Sequence, residues 1–286
     1  MNFQNILFPV DFSERSSAAA PFVLSMAQRY NAKVVAIHVV QPPPPLYAGM
    51  NTIYPSAYDF EGIATDLKVE LQRFVEQQLP KVEVTCEVQM GDPAAAITQF
   101  SCAQNIDLIA IPTHGYGIFR RALLGSVTAK VLHDSKIPVW TSAHAPEPSH
   151  RAHPKPRLIL CAIDLKPESR KTLEMAIEIA GKAEAKLELF HIPAEGVPTD
   201  SAEERLQELL VDAASRELIA VEEEKSTPTE LAVEAGSVAE MVRNLALAKR
   251  ADLVIIGRGS IQHGFARLHA NSYDIIRESP CPVLSF

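Results

Sequence analysis

The 286-residue chain has one tryptophan, four cysteines and no excess of basic residues. Cys86, Cys102, Cys161 and Cys281 form no CxxC pair. Zinc and a disulfide framework are therefore not expected. Three of them stand in strand-like runs and Cys102 in a helix-like one, where cysteine acts as a small buried hydrophobe. No run is apolar for long enough to span a bilayer, and Met1 to Val10 has no basic stretch leading into an apolar one. The expectation is a cytoplasmic protein with no membrane partner. A net charge of −8 argues against nucleic acid as a partner. That charge is uneven: residues 1–144 hold 10 Lys+Arg against 12 Asp+Glu, and residues 157–286 hold 15 against 22.

The chain repeats itself. Ile6-Leu-Phe-Pro-Val-Asp11 is matched by Leu158-Ile-Leu-Cys-Ala-Ile-Asp164, and Lys33-Val-Val-Ala-Ile-His38 by Lys186-Leu-Glu-Leu-Phe-His191. Gly91-Asp-Pro-Ala-Ala-Ala-Ile97 is matched by Gly236-Ser-Val-Ala-Glu-Met-Val242, Asp107-Leu-Ile-Ala-Ile111 by Asp252-Leu-Val-Ile-Ile256, and Ile137-Pro-Val139 by Cys281-Pro-Val283. Landmarks repeated in one order define two tandem domains, 1–143 and 157–286. The polar, proline-rich segment 144–156 joins them as a linker. Its His144, His150 and His153 are too loosely spaced for a metal site.

Within the first half, residues 3–10, 33–40, 82–89, 107–112 and 137–142 read as strands, and 14–30, 58–79, 93–104 and 125–135 as helices. Ser13 caps the first helix without a capping box, and Pro21 is expected to kink it or displace its start. Strands rich in Val, Ile and Leu with little alternation are buried on both faces. Each half is thus a doubly wound α/β domain with a five-stranded parallel sheet. Residues 41–56 form an insertion in the first half, expected to be a stiff proline-rich loop.

Ligands of such sheets bind beyond the carboxyl ends of strands, where strand order reverses. Asp11 follows the first strand, and Pro112-Thr-His-Gly115 follows the fourth. Gly125-Ser126 then opens a helix at Val127-Thr128. Glycines, a hydroxyl and outward amides suit an anion. Two readings stay open for each part: Asp11 as a ribose-binding carboxylate or as a turn and cap residue, and the glycine loop as a phosphate cradle or as a plain turn. Arg120 and Arg121 suit either a phosphate contact or a solvated loop face.

Together Phe8-Pro-Val-Asp-Phe-Ser-Glu14, His38-Val-Val40, Gly91-Asp-Pro-Ala94, Thr113-His-Gly115, Leu124-Gly-Ser-Val-Thr128 and Ile137-Pro-Val139 resemble the universal stress protein family. The resemblance covers nearly the whole chain as two tandem domains. It implies the adenine nucleotide alpha hydrolase-like fold and pairing through the last strands. Some members bind ATP or AMP. The family's loop in those members is Gly-x2-Gly-x9-Gly-Ser/Thr, matched here by Gly115, Gly125 and Ser126, with Pro112 in place of the first glycine. The resemblance further implies contacts from Pro9, Val10, Asp11, Val39, Pro112, His114, Val127 and Thr128, with the Val39 backbone reading adenine. In the second half Asp164, Gly257 and Gly259 are the matching positions. His269 and Ala270 stand where the first half has Gly125 and Ser126, so that crevice is degenerate for a triphosphate. Arg258 and Arg267 are possible anion contacts there.

Three functions follow as expectations. The first is a non-catalytic stress-response protein binding adenine nucleotide in its first domain and acting through assembly or a protein partner. The second is a scaffold with vestigial crevices. The third is a slow ATPase or self-phosphorylating protein, for which His114 alone supplies acid–base chemistry. The last strands, 137–142 and 281–286, are expected to pair within one chain as a pseudo-dimer. A homodimer of chains is left open.

Overall fold

A computed structural model describes residues 3–42, 46–48, 51–53, 60–114, 124–143, 152–163, 169–191, 229–231, 237–258 and 270–286. Its strands are β1 (Asn5–Pro9), β2 (Lys33–Val40), β3 (Leu46–Ala48), β4 (Asn51–Ile53), β5 (Val84–Met90), β6 (Leu108–Ile111) and β7 (Val139–Thr141) in the first half. The second half has β8 (Leu158–Ile163), β9 (Lys186–His191), β10 (Thr229–Leu231), β11 (Leu253–Ile256) and β12 (Val283–Ser285). The described helices are α1 (Glu14–Tyr30), α2 (Phe60–Gln78), α3 (Pro93–Ala103), α4 (Ser126–Asp134), α5 (Ser169–Ala183), α6 (Val238–Lys249) and α7 (Ala270–Glu278).

The main sheet has ten strands in the order β10-β9-β8-β11-β12-β7-β6-β1-β2-β5. Each half contributes five mutually parallel strands, and the halves join where β7 runs antiparallel to β12. That junction is the expected intramolecular pairing. It is pseudo-symmetric down to single atoms: Thr141 Oγ1 donates to Val283 O, and Ser285 Oγ donates to Val139 O, both at 3.2 Å. Trp140 and Leu284 face each other across it, and Trp140 packs on Phe22 of α1 with ring centroids 5.4 Å apart. Lys182 of α5 sits 4.6 Å over the Tyr30 ring of α1.

Continuous apolar strands produce a sheet covered on both faces. In β1, Ile6 and Phe8 enter the cluster that also holds α1 and α5 residues, while Leu7 between them enters the opposite cluster with Ile97, Val131 and Val242. All four residues of β6 and of β11 are buried.

The repeated landmarks have structural causes. Gly91 has φ of +142°, a conformation that favours glycine. Asp92 then caps α3 by accepting from the Ala95 amide at 2.9 Å, with Pro93 in the first turn. Ser237 caps α6 in the same way, through the Glu240 amide. Asp107 accepts from the Gln4 and Asn5 amides, both at 2.9 Å. Asp252 accepts from the amides of His153 (2.8 Å) and Arg157 (2.9 Å). Each aspartate thus ties the start of its domain's first strand to the fourth, and Asp252 also anchors the end of the linker.

Three local expectations change. Ser13 does cap α1, through the Ser16 amide at 3.3 Å, but Pro21 does not displace the helix start, which stays at Glu14. Pro21 lies on the exposed face, where solvent satisfies the carbonyl its missing N–H leaves free. The insertion contains an antiparallel pair, β3 with β4, rather than only an extended loop. Cys86, Cys161 and Cys281 are buried, and burial pushes the Cys161 and Cys281 thiols up to about 12. Cys102 is exposed on α3 instead. No helix among the described residues is long and apolar enough to cross a membrane.

Candidate functional site

From β1 the chain proceeds through α1 to β2 on one side, while β6 pairs with β1 on the other. Strand order therefore reverses between β1 and β6, which places Asp11 and Pro112 at the carboxyl ends of neighbouring strands.

The β1 side is tightly ordered. Pro9 ends the strand opposite Ile37. Val10 is buried, its amide donates to Ile37 O at 2.8 Å, and its carbonyl accepts from His38 Nδ1 at 2.7 Å. Phe12 has φ of +61° and lies against the His38 ring, with centroids 4.7 Å apart. Asp11 Oδ1 accepts from the Ser13 amide (3.0 Å), Ser13 Oγ (2.6 Å) and Ser16 Oγ (2.7 Å). Of the two readings left open, the turn-and-cap role is realised at that oxygen. Among the described residues Oδ2 takes no bond. Val39 stands near the end of β2, half-buried.

The β6 side is stitched to α4. Gly125 donates its amide to Thr113 O at 2.8 Å, and Thr128 Oγ1 donates to Pro112 O at 2.7 Å. A β-carbon on Gly125 would lie 3.3 Å from Thr113 O, tight enough that backbone must move. The Gly125 amide and the buried Thr128 hydroxyl are thus committed to the loop. The start of α4 has no side-chain cap, and its first bond within the helix is from Ala129 to Gly125 O. The amides of Ser126, Val127 and Thr128 therefore have no partner in the helix. Ser126 itself is exposed and Val127 half-buried. Thr113 is fully buried; its amide donates to Ser142 Oγ at 3.2 Å, and its Oγ1 has no partner among the described residues. His114 follows it, half-buried. Gly115, Arg120 and Arg121 lie outside the described residues.

In the second domain Asp164, Gly259, Arg267 and His269 are also outside the described residues. Gly257 is described, and a β-carbon there would lie 2.9 Å from Thr172 Oγ1 of α5, so close packing requires the glycine. Its carbonyl accepts from Ser272 Oγ at 3.3 Å, the counterpart of Thr128 on Pro112. Arg258 does not face an anion. It is buried, and its Nη1 donates to Leu132 O (3.2 Å) and Ser135 O (2.9 Å), while Nη2 donates to Ile137 O (2.5 Å). Burial pushes its pKa down to about 10.

Two features were not singled out from sequence. One is Arg258 as a bridge between domains, for which a lone arginine beside a glycine gave no signal. The other is a histidine pair: His191 Nδ1 bonds Ile163 O at 2.8 Å, as His38 bonds Val10 O. A carbonyl only accepts, so each ring carries its proton on Nδ1. The signal was there, since both histidines close the same repeated landmark.

Comparison with known proteins bears on the twice-written fold. The model of the universal stress protein family matches residues 2–142 and again 156–286. A universal stress protein of Methanocaldococcus jannaschii is 31% identical over 142 residues, covering 48% of this chain and 80% of its own. The crystal structure of a universal stress protein from Archaeoglobus fulgidus superposes with a TM-score of 0.69 at 25% identity, covering 99% of this chain and 96% of that one. Another universal stress protein, solved in complex with cAMP, matches 51% of this chain at 19% identity with a TM-score of 0.38. Two family-model matches, one on each copy of the repeat, make this chain a member of the universal stress protein family carrying two of its domains in tandem.

Proposed function

We propose that the protein is a non-catalytic stress-response protein whose first domain binds an adenine nucleotide, ATP or AMP, in the crevice between β1 and β6. The observation that carries this reading is the uncapped start of α4 beside the loop after β6. Partnerless amides at a helix N-terminus attract phosphate. Asp11 Oδ2 is left for a ribose hydroxyl. The nucleotide then biases assembly or the binding of a protein partner. No hydrolysis is assigned.

Titration calorimetry of the full chain with ATP and with AMP tests this. Heat saturating at one site per chain is the expected result, and no heat at tens of micromolar protein would overturn it.

A second reading has its own support. Pro112 has no N–H to offer, and Gly125, Thr128 and Asp11 Oδ1 already bond within the protein. On that reading both crevices are closed turns and the paired domains are a docking scaffold. Adenine absorbance released from the purified protein on denaturation separates the two.

A further inference from the structure

Thr113 and Arg258 occupy equivalent places. Each is the second residue beyond its strand, β6 or β11, and each donates its amide to the residue just past the neighbouring last strand: Thr113 to Ser142 Oγ, Arg258 to Phe286 O at 2.7 Å. Their side chains differ in reach. Arg258 crosses the domain junction and gathers carbonyls from the last turn of α4 and the segment leading to β7. Thr113 is too short for the reciprocal bridge, and its buried hydroxyl stays unpartnered among the described residues. The clamp therefore runs one way, from the second domain onto the first.

The helix it holds is the one whose other end forms the candidate site. α4 has nine residues, about 13 Å of helix. Carbonyls at its C-terminal end lack helical partners and carry partial negative charge, which a guanidinium satisfies both by hydrogen bonds and by charge. The amides at its N-terminal end lack partners of the opposite kind. A short helix is marginal alone and takes its order from what grips its ends.

We propose that Arg258 is a positioning residue for the first domain's anion site: the second domain's loop has become a clamp that orders α4. The ligand part of this rests on the nucleotide reading above; the ordering of α4 does not. Nucleotide bound at one end of α4 and the domain junction at the other are then coupled, each strengthening the other by the same factor.

The test uses the full chain with Arg258→Met, which keeps length and apolar packing, and Arg258→Lys, which returns the charge without the planar fork. Three readouts are taken: hydrogen exchange of α4 amides without ligand, Trp140 emission as a report on the β7–β12 junction, and ATP titration. In Arg258→Met, α4 amides are expected to exchange about tenfold faster while β1 and β2 amides and Trp140 emission stay unchanged. ATP affinity is expected to fall about tenfold, a coupling of ordinary size. Arg258→Lys falls between. Unchanged α4 exchange overturns the proposal, as does equal loosening of the whole protein in both variants. Equal ATP affinity in wild type and Arg258→Met, with wild type binding, overturns the coupling. If wild type binds no ATP, the nucleotide reading fails, and the clamp is decided by α4 exchange alone.

Discussion

The two domains share a scaffold and differ in the loop beyond the fourth strand. Both place a histidine Nδ1 on the carbonyl that ends the first strand, both tie the fourth strand to the first through an aspartate, and both set a hydroxyl of the last helix on the carbonyl beyond the fourth strand. Beyond that carbonyl they part. The first domain continues Thr113-His114 toward an uncapped helix, and the second continues with Arg258 into its partner domain. At this position Arg258 of the second domain reaches into the first, whereas Thr113 bonds within its own domain. The contacts retained in both copies set strand register; the contacts that differ lie where the loops leave the sheet.

The comparison breaks most strongly at the aspartates. Asp252 is buried and also meets the Arg157 guanidinium, Nε to Oδ2 at 3.3 Å, whereas Asp107 is half-buried and holds two amides only. Asp252→Ala is expected to cost about 2 kcal/mol, since it leaves two part-buried amides without their acceptor, and Asp107→Ala less. Urea unfolding of both variants measures the difference. Burial acts to raise the Asp252 pKa, but the Arg157 and His153 amides and the Arg157 guanidinium hold it below 3.8. Its folded value is thus below its unfolded value. Its contribution is full above the unfolded value and is lost as pH falls through the folded one. The acid limb of a stability–pH curve, below about pH 4, should flatten in Asp252→Ala.

The glycines sharpen the comparison at a smaller scale. Gly257→Ala collides with Thr172 Oγ1, a side chain, and Gly125→Ala presses on Thr113 O, a backbone atom. Each is expected to cost about 1–3 kcal/mol. A second change, Thr172→Ala, should recover much of the loss at Gly257, and no side-chain trimming should do so at Gly125. Thermal melts of the single and double variants form the cycle.

The hydroxyls give the smallest effect. Thr128→Val removes a 2.7 Å bond to Pro112 O and Ser272→Ala a 3.3 Å bond to Gly257 O. About 1 kcal/mol is expected for the first and less for the second, read from denaturant midpoints. Equal losses would mean that the two loops are held alike.

Much of this architecture is legible along the chain because its causes are local or periodic. Val-, Ile- and Leu-rich runs become strands buried on both faces. Asp92-Pro93 and Ser237 with Glu240 three residues on become helix starts, since those side chains satisfy amides one turn away. The β3–β4 pair escaped because three-residue strands lie within a stretch dominated by prolines. At the site, the sequence brought Asp11 and the Pro112 loop to one crevice through the strand order. It did not reveal that Gly125 and Thr128 spend their donors on Thr113 O and Pro112 O, because a donor's partner is a matter of position in space.

The sequence by itself determined two similar α/β domains, the main strands and helices of the first half to within about two residues at each end, and the family that carries them, because these follow from periodicity and from motifs of neighbouring residues. Only the tertiary structure decided which of Asp11's roles Oδ1 fills, and that Arg258 belongs to α4 of the other domain. That bond spans more than a hundred residues of chain, |i−j| of 121 to 126, and it exists only once β7 and β12 have brought the two domains edge to edge.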